Sequence, residues 1–278
     1  MKKFFKLILN TIPRPILIRL SYVVRPILAY ILKGTTFTDP IDGRSFKMFL
    51  PYGYGNQRNN VLSPSTLSLE RHRLLWLYLN NETDFFQSEL DSDSSFKQPK
   101  SFKLRDTETS SVLKVLHFAP EPCLEDRLRA QCGRYVTADL LRTTVDYQFD
   151  VIDIPFADEA FDVVLNSHVL QYVQDDLRGI AELSRILKPG GIALLPVPLL
   201  HEKTVVMEVP DPILGAYHEP GLDYYQRYEA FFQRVDLHGS AAEEDQYHFY
   251  LELLSDADFP LKQAERKYGD IIPVCYKG

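Results

Sequence analysis

The sequence predicts an α/β protein built on a mostly parallel, doubly wound sheet that helices cover on both faces. Short apolar runs alternate with segments of helical pattern between about residue 110 and residue 200. Parallel strands need long crossover connections, and the usual crossover is a helix, so this alternation is typical of a parallel sheet. With 278 residues and 45% apolar content, the chain can bury one substantial core with appendages.

The predicted elements of this core follow one another closely. They are the strand VLKVLHFA (112–119), the helix CLEDRLRAQC (123–132), the strand RYVTADL (134–140), the strand FDVVLNSH (161–168), the helix VQDDLRGIAELSRILKPGG (173–191) and the strand IALLPVPL (192–199). Ligands of such sheets bind beyond the carboxyl ends of the strands, where the strand order reverses. Residues that directly follow the strands are therefore the candidates for a binding site.

Cysteine use and charge exclude several classes of protein. The three cysteines, Cys123, Cys132 and Cys275, show neither zinc-type pairs nor an even disulfide framework, which favours a reducing compartment. The net charge is −7, whereas nucleic-acid binding needs a basic face. We therefore expect a cytoplasmic protein that does not bind nucleic acid.

Residues 1–34 form a basic, apolar segment with seven Lys or Arg and no Asp or Glu. Arginines interrupt it too often for a membrane span, and Pro13 to Pro15 interrupt the apolar stretch that a signal peptide needs. We expect short amphipathic helices broken at Pro13, Pro15 and Pro26. Two alternatives remain: peripheral contact with an anionic membrane at its inner face, or packing on the main domain or on a second subunit as a homodimer.

Residues 35–80 are rich in turn residues and run into a helix that is predicted to begin near Ser68, with Leu74, Leu75 and Tyr78 on one apolar face. Residues 81–111 form a polar linker without a sustained period, and residues 112–278 hold the core with a C-terminal cap.

The segment DIPFADEAFDVVLNSHVLQYVQDDLRGIAELSRILKPGGIALLPVP (153–198) resembles class I methyltransferases of the type 11 group over more than 40 residues. The resemblance extends from about Lys114 to Pro198, and it implies a Rossmann-like sheet with S-adenosylmethionine as cofactor. The string SLERHRLLW resembles a subgroup in which a zinc ribbon precedes this helix. Its four cysteine positions correspond here to Asp39, Asp42, Ser63 and Thr66. Carboxylates and hydroxyls are poor zinc ligands, so we predict no metal and turns held by hydrogen bonds.

The resemblance also implies residues that hold the cofactor. Asp139, at the end of the second strand with Leu140 after it, can accept both ribose hydroxyls; its alternative role is a cap or surface acid. Asp150 corresponds to the acid that meets the adenine amino group, with the Val151 amide beside it, and Asp153 competes for this role. The first loop departs from the usual glycine-rich pattern, and its candidate residues are His117, Phe118, Ala119 and Glu121. Glu121 is expected to bind the cofactor's ammonium group and His117 its carboxylate, or both brace a rigid turn.

Methyl transfer to a hydroxyl or an amine often needs a general base, and histidine suits this role. His168 follows the fourth strand together with Asn166, and both are also candidate cofactor contacts; the alternative for His168 is a residue at the start of a helix that bonds to the backbone. His238 is the second candidate base. The sequence thus predicts a methyltransferase for a small-molecule or glycan-type acceptor. The alternative is a noncatalytic Rossmann-like binding or scaffold protein. An NAD-dependent oxidoreductase is disfavoured because no GxGxxG string occurs.

Overall fold

The computed structural model describes residues 14–52, 58–81, 113–239, 246–247, 250–252, 262–263, 266–268 and 270–278. Its helices are α1 (Arg14–Ile31), α2 (Glu70–Asn81), α3 (Pro122–Gln131) and α4 (Asp176–Arg185), with 3-10 helices at Leu170–Tyr172 and Leu222–Ala230. Its strands are β1 (Lys33–Thr38), β2 (Ser45–Phe46), β3 (Leu50–Tyr52), β4 (Arg58–Leu62), β5 (Lys114–Phe118), β6 (Arg134–Asp139), β7 (Tyr147–Gln148), β8 (Phe161–Asn166), β9 (Leu187–Leu194), β10 (Val205–Val206), β11 (His218–Glu219), β12 (Arg234–Gly239), β13 (Tyr250–Glu252), β14 (Lys262–Gln263), β15 (Arg266–Tyr268) and β16 (Ile271–Tyr276). The predicted linker lies outside the described residues from position 82 onward.

A seven-stranded sheet in the order β12-β16-β9-β8-β5-β6-β7 forms the centre of the molecule. Strands β7, β6, β5, β8 and β9 run parallel, whereas β16 is antiparallel to both of its neighbours, β9 and β12. The chain continues from β5 to β6 on one side and returns to β8 on the other, so the strand order reverses between β5 and β8. The predicted α/β class with a mostly parallel sheet is confirmed.

The two faces of the sheet support separate cores. Val115 and Leu116 of β5 are both fully buried, but they belong to different cores because successive strand residues point to opposite faces. Helix α4 and the aromatic 3-10 helix Leu222–Ala230 cover one face, where Tyr224 and Tyr228 are buried. Helices α2 and α3 cover the other. The helix of the SLERHR segment is thus packed into the core of the main domain.

The end of helix α4 differs from the prediction. Helix α4 ends at Arg185, and the Lys-Pro-Gly-Gly string belongs to β9, whose Leu187 pairs with Phe161. Gly190 adopts a φ of +75°, a backbone conformation that favours glycine. A Cβ on Gly191 would lie 2.8 Å from the Asp162 carbonyl oxygen, so the close approach of these two backbones also favours glycine.

Helix α1 is continuous from Arg14 to Ile31 with Pro26 inside it, so the expected break at Pro26 is wrong. Pro15 lies in the first turn, where an N–H is not needed, and the missing N–H of Pro26 removes a single intrahelical hydrogen bond. Pro13 lies outside the described residues. Among the described residues, no helix has both the length and the apolar character needed to cross a bilayer.

Hydrogen bonds hold the turns at all four positions that correspond to zinc ligands, and three of these positions share one connected network. The buried Asp39 accepts the Ile41 amide at 2.9 Å through Oδ1, and its Oδ2 accepts the hydroxyls of Thr66 and Ser68. Ser63 Oγ accepts the Thr66 amide at 3.5 Å. At the fourth position, Asp42 accepts the exposed Arg44 amide at 3.1 Å through Oδ1, and its Oδ2 lies 3.7 Å from Arg44 Nε. An oxygen network therefore connects the two hairpins β1–β2 and β3–β4 to the segment that leads into α2.

Candidate active site

The loops that follow β5, β6, β7 and β8 meet at one edge of the sheet, because these strands are parallel. In the register of the sheet, Phe118 lies beside Ala138 and Asn166, and Asp139 lies beside Gln148. Neighbouring strands are roughly 5 Å apart. Asp139 and Asp150, two residues beyond Gln148, therefore lie on the same edge, as a shared cofactor site requires.

The first loop is braced by a buried chain of hydrogen bonds. His117 is fully buried; its Nδ1 lies 2.7 Å from the Tyr135 hydroxyl and its Nε2 lies 2.8 Å from Glu121 Oε2. Both ring nitrogens of His117 are thus engaged with protein groups, which favours the bracing alternative over contact with the cofactor carboxylate. Phe118 also points into the core, where its ring packs edge-on to Phe149 at 5.5 Å. Only its backbone can face the cofactor.

Ala119 adopts a φ of +46°, in the region that favours glycine, and its amide donates to the Ala138 carbonyl at 2.8 Å. This position corresponds to a glycine in the usual pattern, so the chain keeps the conformation of that loop at some cost in strain.

Glu121 is ionised although it is buried. Burial raises its pKa, but the hydrogen bond from His117 and the nearby charge of Arg71 outweigh burial and hold the pKa well below its usual range. Its second oxygen, Oε1, lies 4.0 Å from His72 Nε2. A buried carboxylate therefore lies at the carboxyl end of β5, available to a cationic group.

The SLERHR helix brings three basic side chains to this region. The buried Arg73 donates to the carbonyls of Val61, Ser68 and Tyr247 at 2.8–3.0 Å and lies over the Phe49 ring, so its role is structural. His72 Nδ1 accepts the Leu69 amide at 3.2 Å.

Arg71 differs from these two neighbours on the same helix. Its Nε is buried and has no hydrogen-bond partner within the described part of the chain, and its charge lowers the pKa of both Glu121 and Asp270. Arg71 is therefore the basic residue of this helix that remains available to a ligand.

Asp139 and the loop after it have one oxygen committed to the fold and one available. Asp139 Oδ1 accepts the amides of Leu141 and Arg142 at 2.7 and 2.9 Å, whereas Oδ2 has no hydrogen bond to any residue that the structure describes. Arg142 in turn donates to the Pro120 carbonyl at 2.9 Å and connects this loop to the first one. Leu140 is exposed. Asp139 thus caps this loop through one oxygen and leaves the other without a partner among the described residues.

Asp150 begins the turn after β7, and its Oδ1 accepts the Ile152 amide at 3.3 Å. Val151 is buried, whereas the competing acid Asp153 is exposed. Arg185 of α4 holds the end of this turn by donating to the Ile154 carbonyl at 3.0 Å. Asp150 is thus half-buried and Asp153 exposed, and the choice of Asp150 as the adenine contact stays a prediction.

Asn166, at the end of β8, is 1% exposed, and neither its amide nitrogen nor its amide oxygen has a hydrogen-bond partner in the described residues. Leaving a buried polar group unpaired costs roughly 1–3 kcal/mol, so such groups in native proteins call for a ligand or another explanation. Asn166 adjoins Phe118 across the point where strand order reverses. It is the strongest structural indication of a binding site.

His168 follows Asn166 closely and makes a contact that the sequence did not reveal. Its Nε2 lies 3.1 Å from Oδ1 of Asp270, a buried acid directly before β16. The only local signal was an acid in front of the apolar strand IIPVCY, which does not show what that acid touches.

The second candidate base, His238, lies elsewhere. It belongs to β12, and two strands separate β12 from β8, a distance of roughly 14 Å between strand axes. Its ring packs against Tyr78 of α2 at 4.8 Å. The structure does not bring His238 and His168 together, because β12 pairs at the outer edge of the sheet, and a catalytic role of His238 stays a prediction.

Comparison with known proteins shows which class of enzyme this part of the chain is similar to. Residues 124–195 match the family model of a methyltransferase domain. The match supports a methyltransferase domain over these residues, and it does not reach the ribbon-like segment.

Two curated relatives carry methyltransferase names. The dimethylglycine N-methyltransferase of Parasynechococcus marenigrum is 34% identical over 95 residues, which cover 34% of this chain and 33% of that enzyme. A demethylmenaquinone methyltransferase of Staphylococcus epidermidis is 27% identical over 154 residues, covering 53% and 56%. The chain therefore spans a third to about half of the length of these relatives.

Solved structures with similar folds include S-adenosylmethionine-dependent methyltransferases from Mesorhizobium loti and Archaeoglobus fulgidus. The first is 12% identical with a TM-score of 0.43 and covers 59% of this chain and 91% of its own. The second is 10% identical with a TM-score of 0.41 and covers 60% and 86%.

Proposed function

We propose that this protein transfers a methyl group from S-adenosylmethionine to a hydroxyl or amino group of a small-molecule or glycan-type acceptor. The observation that carries the proposal is the buried, unpaired Asn166 amide beside the strand reversal, inside a segment that matches a methyltransferase domain. A ligand that pairs with this amide would offset the cost of its burial.

The residues present fit the parts of the cofactor. Asp139 Oδ2 is available to the ribose hydroxyls, and Asp150 with the Val151 amide to the adenine. For the methionyl end, the ionised Glu121 suits an ammonium group, and the unpaired Arg71 suits a carboxylate, because guanidinium and carboxylate form strong charge-assisted hydrogen bonds. In this proposal the SLERHR helix completes the cofactor site.

Calorimetric titration with S-adenosylmethionine tests the proposal. We expect micromolar binding by the wild-type protein and at least a tenfold loss of affinity in Asp139→Ala, about 1.4 kcal/mol or more. Asp150→Ala should also weaken binding, whereas Asp153→Ala, which removes an exposed acid from the same turn, serves as the matched control and should not. No heat at millimolar ligand would instead support the noncatalytic scaffold.

The acceptor can be identified by transfer of a labelled methyl group. The names of the two relatives designate dimethylglycine and demethylmenaquinone as their acceptors, which supports a small molecule here. Methyl-labelled cofactor incubated with cell extract and the wild-type protein should label a low-molecular-weight product, and Asp139→Ala should not. Label that enters only protein or nucleic acid would contradict a small-molecule acceptor.

We further propose that residues 1–34 contact an anionic membrane surface. On one face of α1, Val23, Ile27 and Tyr30 are 72%, 60% and 83% exposed, so this face does not pack on the rest of the described chain. Basic residues without acids in the same segment complement anionic headgroups. A full-length triple variant with Ser at these positions should sediment less with anionic liposomes. Dimer dissociation in the triple variant, with unchanged liposome binding, would instead identify a subunit interface.

A further inference from the structure

We propose that Asp270 is a positioning residue for His168, and that the acceptor of the methyl group carries a proton which His168 Nδ1 removes. This inference rests on the methyltransferase function proposed above. Its basis is the 3.1 Å contact between His168 Nε2 and Asp270 Oδ1, which connects residues 102 positions apart. An ionised carboxylate can only accept a hydrogen bond, so Nε2 must carry the proton and Nδ1 the lone pair.

The backbone of His168 is held in a strained conformation from both sides. Its φ is +56°, in the left-handed region, its amide donates to the Pro196 carbonyl at 2.8 Å, and its carbonyl accepts from Gln171 Nε2 at 2.8 Å. Strain of this kind persists only where the surroundings enforce it, and it clusters at functional sites. The ring orientation therefore follows from three separate contacts, of which Asp270 supplies the one to the ring itself.

The surroundings of Asp270 keep it ionised. Burial raises the pKa of Asp270, but the hydrogen bond from His168 and the charges of Arg71 and Arg58 outweigh burial, and the net direction is downward. The buried Tyr225 faces the same carboxylate, which adds to the effect of burial in raising the pKa of that phenol. Arg58 is paired with Glu70, so Asp270 has His168 as its direct partner and Arg71 as a nearby cation.

The geometry suits an acceptor whose nucleophilic atom bears a hydrogen. The O–H or N–H proton passes to His168 Nδ1, which has no hydrogen bond within the described residues. The electron pair of the acceptor forms the bond to the methyl carbon, while the bond from that carbon to the sulfonium breaks and leaves its pair on sulfur. The positive charge then lies on the imidazolium, next to Asp270. A tertiary amine carries no such proton, so the His168–Asp270 pair would not accelerate its methylation.

Nitrogen-15 NMR of histidine-labelled full-length protein tests the pair without any acceptor, because it distinguishes the two tautomers. The signal of His168 is assigned by its loss in His168→Asn, a residue that tolerates a positive φ. We expect the Nε2–H tautomer in the wild-type protein and its loss in Asp270→Leu. An Nδ1–H tautomer in the wild type, or no change in Asp270→Leu, would overturn the proposal.

Kinetics separate a catalytic pair from a structural one. With the acceptor found by labelling, Asp270→Asn and His168→Asn should lower kcat by about 100-fold, the order of magnitude that a general base supplies, with cofactor affinity unchanged within about threefold. Asp270→Glu should restore part of the rate. Unchanged kcat in Asp270→Asn would overturn the role in transfer, whereas a wild-type protein that binds no cofactor would overturn the proposed function itself.

Discussion

Acidification is expected to weaken the fold through His72. This residue is 7% exposed, and burial, aided by the charge of Arg71 and opposed by that of Glu121, lowers its pKa from 6.5 to about 3. The folded protein keeps His72 neutral where the unfolded chain already protonates it. Since the unfolded state binds the extra proton between these two values, stability falls as the pH falls below about 6.5.

The size of this effect follows from the two pKa values. A group that titrates near 6.5 only in the unfolded chain costs about 2 kcal/mol of stability between pH 7 and pH 5. His72→Asn retains an acceptor for the Leu69 amide, which donates to His72 Nδ1 at 3.2 Å, but it cannot titrate. The free energy of unfolding of this variant should therefore depend on pH by about 2 kcal/mol less over the same range.

Trp76 provides the assay, because it is the one tryptophan of the sequence and lies one turn beyond His72 in α2. Denaturant unfolding of the wild type and of His72→Asn, followed by Trp76 fluorescence near pH 7, 6 and 5, measures the difference. The other titrating groups are common to both proteins and cancel. An equal pH dependence in the two proteins would refute the assignment of a neutral buried His72.

Three further substitutions test other parts of the structure by the same unfolding assay. Asp39→Ala removes an acceptor of three hydrogen bonds and should cost about 3–5 kcal/mol, whereas Asp42→Ala should cost less than about 1; equal costs would argue against the oxygen network. Ala119→Gly should change stability by less than about 1 kcal/mol and Ala119→Val should cost about 2 or more, because a β-branched residue is strained at a φ of +46°; a tolerated valine would contradict that conformation. Asn166→Leu should stabilise the protein by about 1–2 kcal/mol while abolishing cofactor binding measured by calorimetry, and destabilisation would show that the amide is paired.

The order of the core elements could be predicted because it depends on local periodicity. Strands β5, β6 and β8 lie within two residues of the predicted runs, and the helix of the SLERHR segment begins two residues after Ser68. The end of α4 was harder to place, because a Lys-Pro-Gly-Gly string can follow the end of a helix whether a loop or a strand comes next. Asp139 was proposed as the acid at the end of a predicted strand, whereas Asp150 was proposed only from the resemblance, because the short strand β7 before it was not predicted.

Side-chain partners could not be predicted in the same way. His117 stands at a position that suggested a ligand, yet its ring turns to Tyr135 and Glu121, since burial leaves both nitrogens in need of partners. The role of Arg71 depended on which face of α2 meets the sheet, and periodicity alone does not determine the packing partner.

The sequence by itself determined the α/β class and the mostly parallel sheet, because period-two and helical patterns are local and their alternation favours parallel strands. Only the tertiary structure decided that Asp270 contacts His168, that His238 lies three strands away from His168 and that α2 packs into the main core. These outcomes depend on contacts between residues far apart in the chain, whose energies come from burial and pairing in the folded state.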